Sequence, residues 1–113
     1  PLYSSAASDV YKRQELVRFD LNLCRAILEG YLMMGRSFLS DQDFRYLPDC
    51  IRLIPFELGL RFLTDYLDGD RYFRTDRTSH NLDRALVQFA LTQSIEAQED
   101  DLQLMIRELS GAS

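Results

Sequence analysis

The sequence predicts a mainly α-helical fold. Through most of the chain, apolar residues recur three or four positions apart, which is the spacing of one helix face. Residues that begin or end helices, such as Ser40 and Gly69, separate these stretches. No stretch after Glu15 alternates apolar and polar residues in the manner of a half-buried strand.

Composition indicates a globular protein and limits its partners. The 113 residues suffice for one domain or part of one, with 46% hydrophobic residues, 27% charged residues and a net charge of -5. A negative chain binds nucleic-acid phosphates poorly, and no apolar run is long enough to span a membrane. The chain begins without a signal-peptide pattern. We therefore expect a cytoplasmic protein without nucleic-acid or membrane partners.

Residues 1–14 do not share the helical pattern of the rest. With one choice of codons, the stretch SSAASDVYKRQ (residues 4–14) resembles an in-frame translation of a transposon-based sequencing-library adapter at every position. The alternative is a natural, poorly ordered N-terminal tail. We expect residues 1–14 to be an adapter-derived tail. Residues 15–113 are then the C-terminal part of a longer protein whose reading frame continues upstream of Glu15.

Two helices are predicted in the first half of the chain. The first covers residues 19–34, and Gly35 can end it. The second begins after Ser40, because a serine followed three positions later by Asp43 resembles a capping box. Pro48 is expected to break this helix after a short turn, with a restart at the proline.

The restarted helix is expected to be buried. The stretch DCIRLIPFELGLRFLTDYL, residues 49–67, is apolar on nearly every side of a helical wheel. Its polar residues form one narrow stripe that contains Glu57, Arg61, Thr64 and Asp65. A kink is expected at the proline inside the stretch, unless that proline lies in a first turn.

One more helix follows a polar loop. The DGD turn at residues 68–70 ends the preceding helix. Ser79 or Asn81 can cap the last helix, which is predicted over residues 82–109. Its apolar side rotates along its length. Either the helix breaks within residues 96–101, or its two halves contact different partners.

The polar stripe contains the first candidate site. Glu57, Arg61 and Asp65 are four positions apart and therefore lie on one face of the helix. One interpretation is a solvated row of ion pairs. The other is an arginine that faces a ligand cavity and is braced by the two carboxylates. A guanidinium suits that role, because it binds hydroxyl, carboxylate or phosphate groups and stays charged.

Aromatic and basic residues alternate after the turn. Tyr72 and Phe73 lie between Arg71 and Arg74, an arrangement that can stack on a sugar or a base. The alternative is two packed aromatic rings flanked by solvated arginines. His80 is interpreted as a cap or turn residue, because the sequence shows no nucleophile that it would serve as a base.

No metal site is predicted. Cys24 and Cys50 form no CxxC pair, and His80 is the only histidine. Both cysteines are expected to be reduced, buried small hydrophobes. Asp68 and Asp70 flank a glycine and, without further ligands, indicate a turn rather than a cation site.

A long stretch of the chain resembles a known family. The segment IPFELGLRFLTDYLDGDRYFRTDRTSHNLDRALVQFALTQSIE, residues 54–96, is similar to the C-terminal helical region of bacterial aminoglycoside phosphotransferase/choline kinase-like proteins. The resemblance rests on FELGLRFLTDYLDGD, the following YF and the HNLDRA helix, and points to N-acetylhexosamine 1-kinase-like sugar kinases. It implies a protein-kinase-like fold, in which residues 15–113 are the C-terminal helical part of the C-lobe.

The resemblance also implies a function for the complete protein, the ATP- and magnesium-dependent transfer of a phosphoryl group to a sugar or small-alcohol hydroxyl. The family's ATP-binding loop, HxD-type catalytic loop and metal-binding aspartate have no counterpart after Glu15, so this chain holds no catalytic residue or cofactor. Its partner is then the missing N-terminal lobe. The implied sugar contacts are Arg61 and Tyr72, with Glu57 and Asp65 orienting Arg61.

A non-enzymatic, all-helical protein-interaction module is the alternative. Its apolar helices would receive a partner protein. The two interpretations differ in the surface that they predict. A severed C-lobe exposes a large apolar patch where the missing lobe packed, whereas a self-sufficient module does not.

Overall fold

The structure, a computed structural model, describes residue 14 and residues 16–111. Within this part of the chain, four α-helices and one short 3-10 turn follow one another: α1 (Leu21–Gly35), the turn (Arg36–Phe38), α2 (Asp41–Leu67), α3 (His80–Ala97) and α4 (Glu99–Ser110). No strand occurs among the described residues, and the mainly α class is confirmed. The predicted adapter-derived tail lies outside the described residues, except for Gln14.

Helix α1 begins and ends close to the predicted positions. The Asp20 side chain accepts a hydrogen bond from the Leu23 amide at 2.9 Å and caps the first turn. The helix ends at Gly35, where an added Cβ would lie 2.7 Å from a ring carbon of Tyr31. A side chain at this position would therefore have to displace the tyrosine ring.

Helix α2 begins with the predicted capping box. The Ser40 amide donates to the Asp43 carboxylate at 2.9 Å, and the Asp43 amide donates to the Ser40 hydroxyl at 3.1 Å. The predicted break at Pro48 is wrong, because α2 is one continuous helix through both Pro48 and Pro55. Each proline removes one backbone hydrogen bond, but both lie buried, so their packing outweighs the lost bond.

The last helical region breaks at Gln98, inside the predicted interval. The Gln98 side chain donates to the Phe19 carbonyl at 2.9 Å, and the Phe19 amide donates to the Ser94 hydroxyl at 2.8 Å. The junction between α3 and α4 is thus tied to the segment that precedes α1. Ser79 precedes α3 in a left-handed conformation and makes no side-chain cap, so the predicted cap is not formed.

The hydrophobic core lies where α4 packs against α1, the first half of α2 and the end of α3. Its buried members are Leu32, Phe44, Ile95, Leu102, Met105 and Ile106. Leu102 is the most buried of them, with 1% of its surface exposed. In the part of the chain that the structure describes, no helix combines the length and apolar character needed to cross a membrane.

The prediction that residues 49–67 are buried on nearly all sides is wrong for this chain. Helices α3 and α4 contact one side of α2, and the other side is exposed. Seven residues of α2 lie along that side, with spacings of four and three positions in turn. We call them the heptad stripe: Tyr46, Cys50, Leu53, Glu57, Leu60, Thr64 and Leu67. All seven are exposed, because the neighbours that the apolar pattern anticipates are not among the described residues.

The two cysteines differ in environment. Cys24 is partly buried beside the core, and burial raises the pKa of its thiol. Cys50 is exposed on α2, so the prediction that both cysteines are buried is wrong for Cys50. Both are free thiols, as predicted.

Candidate functional site

The candidate site is a groove between the last three turns of α2 and the loop that follows it. The groove has a volume of about 390 Å³, which is within the range of small-molecule sites. Its lining residues are Glu57, Leu60, Arg61, Thr64, Asp65, Asp68, Tyr72 and Phe73. All four residues predicted for the site, Arg61, Tyr72, Glu57 and Asp65, therefore lie together.

A left-handed turn brings the loop back onto α2. The helix ends at Leu67, and the amide of the following residue, Asp68, donates to the Thr64 carbonyl at 3.0 Å. Gly69 and Asp70 then adopt φ values of 92° and 60°, and the Asp70 amide donates to the Asp65 carbonyl at 2.8 Å. The predicted turn is confirmed, and it reverses the chain so that residues 71–73 lie against the helix that they have just left.

The Asp65 carboxylate fixes this loop. Its Oδ1 accepts from the amides of Arg71 (3.0 Å) and Tyr72 (2.8 Å), and its Oδ2 accepts from the amide of Phe73 (3.0 Å). The side-chain amide of Asn81 donates to Oδ2 at 2.8 Å. We call these four donors and their acceptor the Asp65 clamp. Only 6% of the Asp65 surface is exposed, so the carboxylate is satisfied by protein groups.

Two opposing effects act on the pKa of Asp65. Burial raises it, while the hydrogen bonds from Phe73, Tyr72, Arg71 and Asn81 lower it. The net result is a pKa below the ordinary aspartate value, so the clamp holds a charged carboxylate at neutral pH. Asp65 lies near the C-terminus of α2, where the helix dipole disfavours a negative charge. The three backbone amides and the Asn81 side chain compensate for it.

An aromatic stack supports the loop from the side. The rings of Phe62 and Phe73 lie 4.6 Å apart between centroids, and Tyr72 meets Phe73 edge-on at 4.9 Å. The Arg84 guanidinium lies 5.6 Å from the centroid of the Phe62 ring. The packed-aromatic interpretation thus describes Phe73, whereas Tyr72 is 78% exposed and presents its ring to the groove and to solvent.

Arg61 lies in the groove, and its guanidinium has no hydrogen-bond or ion-pair partner among the residues that the structure describes. Among the described residues, no hydrogen bond or ion pair joins its guanidinium to Glu57 or to Asp65, so the row of ion pairs is not formed. The orienting roles of Glu57 and Asp65 toward Arg61 stay predictions, and the Asp65 oxygens are occupied by the clamp. Arg61 is exposed, and its donors are available to a ligand.

Sequence reasoning missed the network behind the clamp. Asn81 is fully buried and donates to Asp70 at 3.0 Å as well as to Asp65. Its side-chain oxygen accepts from Arg84 at 3.0 Å, and Arg84 also donates to the Arg74 carbonyl at 2.8 Å. The sequence suggested Asn81 only as a helix cap. Its position one residue inside α3 resembles a capping site, and nothing local distinguishes the two roles.

His80 and the acidic residues behave as turn residues. The His80 Nδ1 accepts from the Asp76 amide at 3.2 Å, which confirms a turn role for this histidine. Within residues 16–111, no group of three or more histidine, cysteine or acidic side chains is arranged to hold a metal ion.

The sequence matches no protein-family model. Chemically, the groove offers guanidinium donors, carboxylate acceptors and an exposed phenol ring, which together suit a polyhydroxylated ligand.

Proposed function

We propose that this chain is the acceptor-binding side of an ATP-dependent phosphotransferase that acts on a hydroxyl group of a sugar or small alcohol. The observation that carries the proposal is the groove, which Arg61 of α2 and Tyr72 of the loop line together. A sugar presents hydroxyl groups and an apolar ring face. The guanidinium and the phenol ring match these two features.

Arg61 has no hydrogen-bond or ion-pair partner in the described part of the chain, and this supports a ligand-binding role. A guanidinium without a protein partner can donate several hydrogen bonds to acceptor hydroxyls or to the phosphate of the product. Glu57 and Asp68 line the same groove and can accept hydrogen bonds from further hydroxyls. The site therefore recognises the acceptor, and no residue in it is assigned to the chemical step.

ATP and magnesium do not fit the described residues. No suitable acidic cluster for a metal is present in the described range, and no glycine-rich phosphate loop follows residue 15. The proposal therefore assigns both to polypeptide outside this chain, in the N-terminal lobe that the family resemblance implies. When bound there, they would supply the phosphoryl group and neutralise its charge. A cytoplasmic location belongs to the same proposal.

The heptad stripe supports a larger parent protein. Its leucines Leu53, Leu60 and Leu67 are exposed by 46%, 42% and 75% of their surface, and they lie on one side of one helix. An apolar surface of this kind marks a site of contact with other polypeptide. In the proposed enzyme, the missing lobe covers part of it.

The test uses the complete protein, expressed from the contiguous upstream reading frame. ADP release is measured with hexoses, N-acetylhexosamines and amino alcohols as acceptors. Arg61→Ala is expected to raise the acceptor KM by roughly tenfold to a hundredfold, because charge-assisted hydrogen bonds to the acceptor are lost. The ATP KM is expected to stay unchanged. Arg45→Ala is the matched control, because Arg45 is an exposed arginine on the same helix outside the groove. An unchanged acceptor kcat/KM in Arg61→Ala would contradict the proposal.

The exposure of the heptad stripe favours the severed C-lobe, whereas its regular spacing is the observation that favours a second candidate function, a helical interaction module. A period of 3.5 residues is the pattern along which a partner helix packs. This module has no need of an acceptor. A gene that starts directly before Glu15, together with a complete protein that transfers phosphate to no acceptor, would favour this function over the phosphotransferase.

A further inference from the structure

The Asp65 clamp acts on the backbone on both sides of Tyr72. The amides of Arg71, Tyr72 and Phe73 are consecutive, and all three donate to one carboxylate at 2.8–3.0 Å. Three such bonds restrict the backbone angles of Tyr72, and therefore fix the direction in which its Cα–Cβ bond leaves the loop.

Little else holds the tyrosine. Its side chain is largely exposed, and its ring packs edge-to-face with the ring of Phe73. Phe73 is in turn held by the Phe62 ring. The position of the Tyr72 ring thus depends on the loop backbone and on one aromatic neighbour, and both depend on the clamp.

The clamp itself is rigidly supported from within the protein. Asn81 is fully buried and links the Asp65 carboxylate to Asp70, and the Arg84 guanidinium donates to the Asn81 oxygen. The two Asp65 oxygens accept four hydrogen bonds from protein donors, so this carboxylate has no acceptor position left for a ligand. Its contribution to the site is therefore geometric.

We propose that Asp65 is a positioning residue that holds Tyr72 in place to receive the acceptor. This inference rests on the proposed function of the groove. Asp65 then acts on the site through the loop backbone and not through contact with Arg61. The clamp is therefore expected to determine acceptor affinity rather than the rate of the chemical step.

Amide hydrogen exchange tests the clamp without any substrate. In the 113-residue chain, NMR is expected to show exchange at residues 71–73 at least about tenfold slower than at Arg77 and Thr78, whose amides have no acceptor among the described residues. Asp65→Asn is expected to remove this protection, because the new amide group replaces an acceptor oxygen with a donor. Asp68→Asn, a change at an exposed aspartate of the same helix end, is expected to keep it. Unprotected amides at 71–73 in the unaltered chain would overturn the proposal, whether or not Asp65→Asn folds.

A double-mutant cycle in the complete enzyme tests the action through Tyr72. Asp65→Asn and Tyr72→Ala are each expected to raise the acceptor KM by roughly tenfold and to leave the ATP KM unchanged. The double variant is expected to match Tyr72→Ala alone, because Asp65 has no effect once the ring is gone. Effects that multiply would overturn the positioning role.

The two readouts separate the positioning role from the proposed function. If the amides are protected and Tyr72→Ala leaves the acceptor KM unchanged, the acceptor site itself is refuted. An acceptor KM that depends on Tyr72, together with unprotected amides at 71–73, would refute only the role of Asp65.

Discussion

The two ends of α2 are held by different physical means. At its first half, Phe44 is buried in an apolar core with Leu102 and Ile106 of α4. At its last turns, a buried carboxylate and a set of backbone amides attach the following loop. Apolar packing is non-directional and supplies stability. Hydrogen bonds to a charged group are directional and fix positions. The core end is therefore expected to determine whether the chain folds, and the clamp end where its ligand-facing residues lie.

The largest expected effect is at the core end. Leu102→Ala leaves a cavity at the centre of the core and is expected to lower the free energy of unfolding by about 2–5 kcal/mol. Leu104→Ala on the same helix removes the same atoms from a side chain that is 54% exposed, and is expected to cost about 0.5 kcal/mol or less. Urea denaturation of the full chain measures both. Similar losses in the two variants would show that the core is not where the structure places it.

The middle of α2 gives an intermediate effect. A Cβ added at Gly59 would lie 2.6 Å from a ring carbon of Phe89, so Gly59→Ala must displace that ring. Overpacking of about 1–3 kcal/mol exceeds the gain of about 1 kcal/mol in helix propensity, so a net loss is expected. Gly30→Ala in α1 meets nothing within 4 Å and is expected to gain about 0.5–1 kcal/mol. A gain in both variants, measured by thermal denaturation, would mean that α2 and α3 are farther apart at this point.

The smallest expected effect is the change of stability with pH that the Asp65 carboxylate causes. This effect is seen only in acid. The folded-state pKa lies below the ordinary value, so the clamp stabilises the fold above the unfolded-state pKa of about 4. That contribution is lost as the pH falls through the folded-state value. Unfolding midpoints are expected to decline below about pH 4, and Asp65→Asn is expected to flatten this decline relative to Asp68→Asn. If the unfolding midpoints of the two variants declined equally in acid, Asp65 would not contribute to the pH dependence of stability.

Local features of the fold could be predicted from the sequence, because few residues determine them. The capping box of Ser40 and Asp43 and the turn at Gly69 need only neighbouring residues, and both are present. Continuity through Pro48 could not be predicted, because buried packing by distant helices decides it. The exposure of α2 could not be predicted either, because an apolar pattern indicates that neighbours exist and not which polypeptide supplies them.

For a similar reason, the sequence predicted several residues of the site but not the contacts between them. Spacing on one helix face placed Glu57, Arg61 and Asp65 together, and the aromatic residues after the turn, read with the family resemblance, added Tyr72. The partners of Asp65 were not predicted, because every residue except proline has a backbone amide and the pattern of side chains does not reveal which amides converge. Only the turn geometry brings three of them to one carboxylate.

The hydrogen bonds that join Phe19 to Ser94 and Gln98 have a consequence for the order of folding. They link positions 75 and 79 residues apart, so the α1 segment reaches its place only by closing a loop that contains most of the chain. Closure of a long loop carries an entropic cost before any contact forms, and nearby contacts form first. Helices α2 and α3 are close in sequence and are therefore expected to assemble early, with α1 docking last onto a nearly finished surface.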